Sequence, residues 1–222
     1  MDLHMHNIKT FPAPWSLKGH GYIVLFKAQT EWLHVNGFIS AEMLDKYIPS
    51  IGAAMFVNYH DSTAGPYGEL LFIPGRFKFP DGGRYSISKI YVSSMESVVN
   101  GQNNWGIPKE LADFDFTVQG DGLEHIRISL AGQLIADCHF SSSRLGIPVT
   151  TSLLPKKFRT VAQNWKGKLF YTSPRARSTL KLARLRDAGF NAELFPDLNR
   201  VKVLGVFKAD DMTMQFPEAL LH

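Results

Sequence analysis

The stretch from Asp113 to Phe140 reads DFDFTVQGDGLEHIRISLAGQLIADCHF and gives the clearest indication of the fold. Apolar residues occupy every second position in three successive runs: Phe114, Phe116 and Val118, then Ile126, Ile128 and Leu130, then Leu134, Ala136, Cys138 and Phe140. Such alternation places apolar side chains on one face of a β-strand, and glycine-containing segments separate the runs. The stretch therefore predicts three consecutive half-buried strands.

Similar short runs occur along the rest of the chain, at Gly21 to Lys27, Ala53 to Tyr59, Glu69 to Ile73, Arg84 to Val92, Leu169 to Tyr171, Thr179 to Ala183 and Val201 to Phe207. Many short strands with glycine and proline turns between them are typical of a barrel or a sandwich. Two short helices are predicted. Ser40 can cap one that runs through Tyr47 and that Pro49 ends, and Ser93 and Glu96 have capping-box spacing for the other, which Gly101 is placed to end. No linker is visible, so we expect residues 1–222 to form a single domain.

The composition is that of an ordinary globular protein, with 45% hydrophobic and 12% aromatic residues. The apolar runs are strand-sized and too short to cross a membrane as helices. Met1 to Thr10 contains no apolar segment of the kind found in secretory signals. The single cysteine, Cys138, cannot form an internal disulfide, which is typical of a reducing compartment. We therefore expect a cytoplasmic protein without membrane association.

The net charge of +4 is unevenly distributed, because no acidic residue occurs between Asp137 and Asp187. That interval contains Arg144, Lys156, Lys157, Arg159, Lys166, Lys168, Arg175, Arg177, Lys181, Arg184 and Arg186. A solvated basic face is the simplest interpretation. The interval could instead surround the mouth of a pocket for an anionic small molecule. Nucleic-acid binding ranks last and is not expected, although aromatic residues accompany the basic ones.

A single lysine stands in an apolar context in the segment from Asn104 to Ala112, which reads NWGIPKELA. An amine held beside Trp105 and Ile107 would lose the hydration that favours its charged form, and Lys109 would then be a nucleophile able to form a Schiff base. From these residues alone, a solvated lysine at the start of a helix, with Pro108 in the first position, is the simpler interpretation.

Four motifs, in order along nearly the whole chain, resemble those of acetoacetate decarboxylases. Trp105 to Ala112 resembles the Gly-aromatic-Pro-Lys-Lys-Leu motif around the Schiff-base lysine of that family. His60 to Glu69 is similar to its loop leading into an active-site glutamate. Pro14 and Trp15 before the first strand resemble its opening segment, and Leu194 to Glu218 its carboxy-terminal strand.

The resemblance implies a mainly β, antiparallel β-barrel-like fold with a few short helices, an interior pocket and assembly into homo-oligomers. It also implies a carbon–carbon lyase that forms a Schiff base with a keto acid or related carbonyl compound and needs no metal or organic cofactor. Lys109 matches the imine-forming nucleophile, and Glu69 matches the acid/base glutamate. Tyr67 and Trp105 are expected to contact the substrate. Decarboxylation and aldol or dehydration chemistry could share the imine intermediate.

The sequence departs from the family pattern at two places. Glu110 stands where the family has a second lysine, and a carboxylate touching the Lys109 amine would stabilise its charged form. Neighbouring residues in an extended strand point to opposite sides, which would keep the two apart. The family's opening-strand arginine is also absent. The substrate carboxylate would then be bound by His20, Lys18 or Arg76.

A non-catalytic barrel that binds a hydrophobic or anionic small molecule is the alternative function. The position of Lys109 distinguishes the two hypotheses. An amine inside a pocket, within reach of Glu69, favours the enzyme. An amine that points into solvent favours the binding module.

Overall fold

The computed structural model describes residues 8–120 and 122–222, so most of the amino-terminal stretch inspected for a signal lies outside the described residues. The described chain forms sixteen β-strands: β1 (Trp15–Lys27), β2 (Tyr47–Ile48), β3 (Gly52–Ser62), β4 (Tyr67–Ile73), β5 (Gly75–Phe79), β6 (Gly82–Ser86), β7 (Lys89–Val92), β8 (Lys109–Leu111), β9 (Asp113–Val118), β10 (Glu124–Leu130), β11 (Gln133–Thr150), β12 (Val161–Trp165), β13 (Lys168–Thr172), β14 (Arg175–Phe190), β15 (Lys202–Phe216) and β16 (Leu220–Leu221). The helices are α1 (Thr30–Asn36), α2 (Ala41–Leu44), α3 (Met95–Trp105) and α4 (Lys156–Arg159).

Strands β9, β10 and β11 form the predicted antiparallel meander. Ile126 lies opposite both Phe116 and Cys138, so the alternating apolar residues share one face. A register shift between Ile128 and Ser129 adds Ile135 to the buried residues, which alternation alone assigns to the opposite face. The pattern thus predicted the three strands and most of their buried face, whereas Val118 at the end of β9 is 70% exposed and β11 continues to Thr150.

The strands belong to two sheets. The larger has ten strands in the order β8-β7-β4-β3-β1-β15-β14-β11-β10-β9, and the smaller has six in the order β16-β13-β12-β6-β5-β2. All pairs are antiparallel except β7 with β8 and β6 with β12. The larger sheet curls so far that a Cβ atom on Gly68 of β4 would lie 2.7 Å from the Phe114 side chain of β9. The mainly β, barrel-like fold expected from the resemblance is confirmed.

The curled sheet encloses a core of aromatic side chains. Tyr22 stacks on Phe140, and Phe26 stacks on Phe72, with ring centroids 4.2 and 5.0 Å apart. Each such side chain contributes roughly 1.5–3 kcal/mol on burial. This core fills the barrel, so the space for a ligand must lie elsewhere.

The opposite face of the same strands is also covered. Helix α3 and part of the smaller sheet pack over it, and a second cluster forms around Trp15, Leu17, Leu71, Ile90 and Trp105. All seven residues of β4 are buried because the strand is covered on both faces. The ligand cavity described below lies in this second layer.

Several elements differ from their predicted bounds: β1, β11, β14 and β15 are each longer than the predicted runs, and α2 is shorter than the helix predicted from Ser40 through Tyr47. The run from Arg84 to Val92 was predicted as one strand but divides into β6 and β7, which belong to different sheets. Helix α3 is capped by Ser94, whose hydroxyl accepts a hydrogen bond from Ser97 N at 3.1 Å, and not by Ser93. It also continues to Trp105, past Gly101, which was expected to end it. No helix among the described residues is long and apolar enough to cross a membrane.

Candidate active site

The backbone around Lys109 is fixed by the end of α3. Gly106 ends the helix in the left-handed conformation, with φ of 62°. Two hydrogen bonds then hold the lysine backbone: its N–H donates to Ile107 O at 2.8 Å, and Gln102 Nε2 donates to its carbonyl at 2.9 Å. Lys109 then enters β8 opposite Ile90 of β7. Its side chain is thereby directed into the second core layer.

Gly101 makes room for the lysine stem. A Cβ atom at this position would lie 2.6 Å from Lys109 Cδ and 2.9 Å from Cε. A side chain here would therefore displace the lysine. This close approach explains why glycine occupies the middle of the helix, where it costs stability relative to alanine.

The Lys109 amine is buried and has two hydrogen-bond acceptors. Nζ lies 3.0 Å from Glu69 Oε2 and 2.9 Å from Ser97 Oγ, and the residue is only 4% exposed. The rings of Tyr67 and Trp15 lie 5.0 and 6.0 Å from Nζ. The amine is thus inside the protein and within reach of Glu69, which is the arrangement that favours the enzyme hypothesis.

Glu69 is a buried carboxylate in the middle of an apolar strand. Besides the lysine, it accepts a hydrogen bond from the Tyr59 hydroxyl, 3.4 Å from Oε1. Burial first, and the Glu69 charge second, raise the pKa values of Tyr59 and Tyr67 well above their ordinary value of 10.0. Both phenols therefore stay protonated and can donate hydrogen bonds inside the site.

Glu110 does not contact the Lys109 amine. Its carboxylate turns to the other side of the strand and pairs with Lys89, at 2.6 Å between Nζ and Oε1. The Glu110 side chain is half exposed there, whereas Lys109 is buried. The departure from the family motif is therefore a surface ion pair.

A cavity of about 410 Å³ contains the lysine–glutamate pair. Its wall is mostly apolar: Trp15, Leu17, Ile23, Met55, Leu71, Ile73, Ile87, Ile90, Trp105, Ile107, Val149, Val161, Pro174, Ala176, Leu180, Ala209, Met212, Met214 and Phe216. The polar side chains are those of Tyr59, Tyr67, Thr151 and Ser178, and the charged ones those of Glu69, Lys109, Arg159 and Arg177. A larger depression, of about 690 Å³, lies along β14 and β15 and contains none of the predicted site residues.

Of the predicted substrate-binding residues, Tyr67 and Trp105 line the cavity, whereas His20 and Arg76 do not. Side chains alternate between the two faces of a strand, and Leu17 and Ile23 of β1 face the cavity. His20 has an even number, so its side chain lies on the opposite face of β1. Arg76 belongs to the smaller sheet, where Nη2 donates to Gly83 O at 2.9 Å. Lys18 also lies outside the cavity wall and pairs with Asp61 on the surface. The suggested carboxylate contacts of these three residues therefore lack support from the geometry.

Four residues of the site were not singled out from the sequence, and one of them is Tyr59, which donates to Glu69. Ser97 binds the lysine amine, and Arg159 and Arg177 supply positive charge to the cavity wall. The two arginines belong to the basic interval without acidic residues. One interpretation of that interval was that it surrounds the mouth of a pocket for an anion. Nothing in the local sequence indicated which of its eleven basic residues would reach the cavity.

One group of possible metal ligands lies away from the cavity, on β10 and β11. Ligand atoms of His125, Asp137 and His139 are all within 4.8 Å of one another. Both oxygens of Asp137 already have partners, His125 Nε2 at 2.7 Å and Arg127 Nη1 at 3.1 Å. The guanidinium neutralises the carboxylate that a cation would require, so we assign no metal to this group.

Comparisons with known proteins identify the family and the fold. A model of the acetoacetate decarboxylase (ADC) family matches residues 39–166, a range that includes Glu69, Lys109 and Arg159. A search of curated protein sequences finds no match.

Several solved structures have the same fold at low sequence identity. Acetoacetate decarboxylase from Legionella pneumophila is 13% identical, with a TM-score of 0.73, and the alignment covers 100% of this chain and 93% of that one. An acetoacetate decarboxylase-like enzyme from Sphingomonas wittichii RW1 is 12% identical, with a TM-score of 0.69 and coverage of 99% and 97%. The enduracididine biosynthesis enzyme MppR, complexed with pyruvate, is 14% identical, with a TM-score of 0.63 and coverage of 99% and 94%.

Proposed function

The chain belongs to the acetoacetate decarboxylase family, and from this premise we propose that it is an enzyme that forms a Schiff base between Lys109 and a carbonyl substrate. One observation carries the proposal: the Lys109 amine lies inside an apolar cavity, 3.0 Å from the Glu69 carboxylate. A buried amine with an adjacent proton acceptor is suited to nucleophilic catalysis.

The proposed first stage makes the imine. Glu69 accepts a proton from the Lys109 ammonium, and the free nitrogen lone pair forms a C–N bond with the substrate carbonyl carbon. The carbonyl oxygen takes up one proton released by the attacking nitrogen and one returned by Glu69, and leaves as water, so that a protonated imine remains. Tyr59 and Tyr67, which remain protonated, can donate to the developing oxygen.

The protonated imine then acts as an electron sink. In a β-keto acid, the electrons of the bond to the carboxylate move toward the imine nitrogen, carbon dioxide leaves, and an enamine remains. Protonation of the enamine and hydrolysis of the imine return the amine and a ketone. Cleavage of an aldol bond or loss of water can use the same intermediate. Only protein side chains and water take part in these proposed steps.

A non-catalytic cavity for a hydrophobic or anionic small molecule is the second candidate. The predominantly apolar wall favours it, since such a wall binds ligands without any chemistry. The buried Glu69 favours the enzyme, because an apolar ligand would not require a carboxylate beside the lysine.

Borohydride trapping distinguishes the two candidates. The protein is incubated with a panel of keto acids and reduced, and the modified peptide is located by mass spectrometry. We expect an adduct on Lys109, its loss in Lys109→Ala, and its retention in Lys89→Ala, the matched control. Gas release from the same keto acids reports decarboxylation separately. Absence of an adduct with every carbonyl compound, in protein that still binds ligands, would establish the binding module instead.

A further inference from the structure

The charges on the cavity wall do not balance. Glu69 and Lys109 neutralise each other as an ion pair. Arg159 and Arg177 have no acidic partner among the described residues, and the segment they belong to contains no acidic residue. The cavity wall therefore carries two arginines that form no ion pair within the described chain. Such a wall attracts an anion.

Arg159 is held in a way that leaves one guanidinium nitrogen available. Nη1 donates to Ser173 O at 2.6 Å and to Pro174 O at 3.1 Å, which fixes the side chain against the end of β13. Nε is buried and inaccessible to a ligand, whereas Nη2 is not buried and has no hydrogen-bond partner among the described residues. Nη2 is therefore the donor that a ligand can reach.

Nη2 of Arg159 can donate to a carboxylate in the cavity, and the delocalised guanidinium stays charged there. Arg177 is exposed, so its charge acts through solvent and is screened by salt. Arg159 is therefore the residue that would bind the anionic group directly, and Arg177 would help to attract it.

The rest of the wall specifies what the anion is attached to. Apart from the charged pair and a few hydroxyl groups, the cavity presents methionine, leucine, isoleucine, valine and aromatic side chains. Its volume of about 410 Å³ is within the range of sites that enclose drug-sized ligands. A short keto acid would leave much of this apolar surface uncovered.

We propose that the natural ligand is an amphiphilic carboxylate, a medium-chain acid whose apolar body fills the cavity and whose carboxylate accepts a hydrogen bond from Nη2 of Arg159. The inference rests on the proposed function only if this ligand is also the substrate whose carbonyl group reacts with Lys109. The anion site is independent of that chemistry.

Calorimetric titration with octanoate and octanol tests the anion site. These probes have the same chain length and no ketone, so imine formation does not affect the result. We expect octanoate to bind at least about tenfold more tightly than octanol. Arg159→Gln should abolish this preference and leave octanol binding unchanged, which also shows that the cavity has remained folded. Arg159→Lys should retain part of the preference, and Arg177→Gln should reduce it by less and in a salt-dependent manner.

Three results would overturn the inference: equal affinity for octanoate and octanol, an undiminished preference in Arg159→Gln, or acetate binding as tightly as octanoate. The experiments distinguish failure of the proposed Schiff-base enzyme from failure of the proposed anion site. Preference for octanoate that depends on Arg159, without a borohydride adduct, removes the enzyme and retains the anion site. A Lys109 adduct in a protein whose octanoate affinity does not depend on Arg159 removes only the anion site.

Discussion

The Lys109 amine and the Glu69 carboxylate carry opposite charges in a place that water hardly reaches. Their side chains are 4% and 8% exposed. Removing two ions from water is costly, and their attraction offsets the cost only with good geometry and additional hydrogen bonds. Ser97 and Tyr59 supply those bonds. An ion pair of this kind contributes little net stability, which is consistent with a functional reason for its presence.

Glu69→Gln should destabilise the protein strongly, because the substitution leaves the buried Lys109 ammonium without its counter-ion. We expect the free energy of unfolding to fall by roughly 3–5 kcal/mol. The double variant with Lys109→Met should lose less than the sum of the two single variants. Urea denaturation of the four proteins measures both effects.

Glu110→Gln is the matched control, since it breaks the half-exposed pair with Lys89 and should cost no more than about 1 kcal/mol. Equal losses for Glu69→Gln and Glu110→Gln would contradict the buried charge pair.

At the scale of elements, α3 and β8 act together to position the lysine. Gly101 gives the side chain its space, and Gly106 turns the chain toward β8. A glycine within a helix costs about 1 kcal/mol relative to alanine. The helix retains it because any side chain there would overlap the Lys109 stem.

Gly101→Ala should therefore slow the proposed chemistry, although alanine has a higher helix propensity than glycine. We expect the rate of borohydride-trapped adduct formation to fall about 10- to 100-fold, since a displacement of about 1 Å has effects of this size. Asn103→Ala, at an exposed position of the same helix, should leave the rate unchanged. Equal rates for wild type and Gly101→Ala would show that the lysine stem relaxes freely.

The sequence predicted single strands correctly where the alternation of apolar and polar residues was enough to decide the structure. Alternation identified the meander from Asp113 to Phe140 because each strand has one buried face. It did not identify the bulge at Ile135, because a bulge depends on the partner strand. It also joined β6 and β7, since the exchange between sheets at Ile87 and Ser88 leaves the local pattern unchanged.

On the scale of the whole molecule, a network of charges connects three strands far apart in the sequence. Lys208 of β15 pairs with Glu124 of β10, and Asp210 pairs with Lys181 of β14. Burial disfavours the charge on Asp210, but Lys181 and Lys208 outweigh it and lower the Asp210 pKa below 3.8. Burial likewise opposes the charge on Lys208, and Glu124 and Asp210 overcome it, raising the Lys208 pKa above 10.5.

The unfolding free energy should depend on pH accordingly. The lowered pKa of Asp210 means that its contribution is complete above about pH 3.8 and is lost as the pH falls through the folded-state value. Lys208, with a raised pKa, contributes fully below about pH 10.5 and loses this as the pH rises further. Asp210→Asn should therefore flatten the acid limb of a urea stability profile. Asp211→Asn, at the exposed neighbouring position, is the charge-matched control and should leave that limb as steep as in wild type.

The sequence by itself determined that the chain is mainly β, and its motifs identified Lys109, Glu69, Tyr67 and Trp105, all of which line the cavity. These results depend on local alternation and on the family resemblance. Strand alternation already indicated that Glu110 would point away from Lys109, but only the tertiary structure showed that Lys109 pairs with Glu69. It alone also decided that His20 faces away and that Arg159 and Arg177 reach the cavity wall. The physical reason is that the alternation of residues along a strand shows which side chains share a face. The residues that each face contacts depend on strand pairing and on tertiary packing.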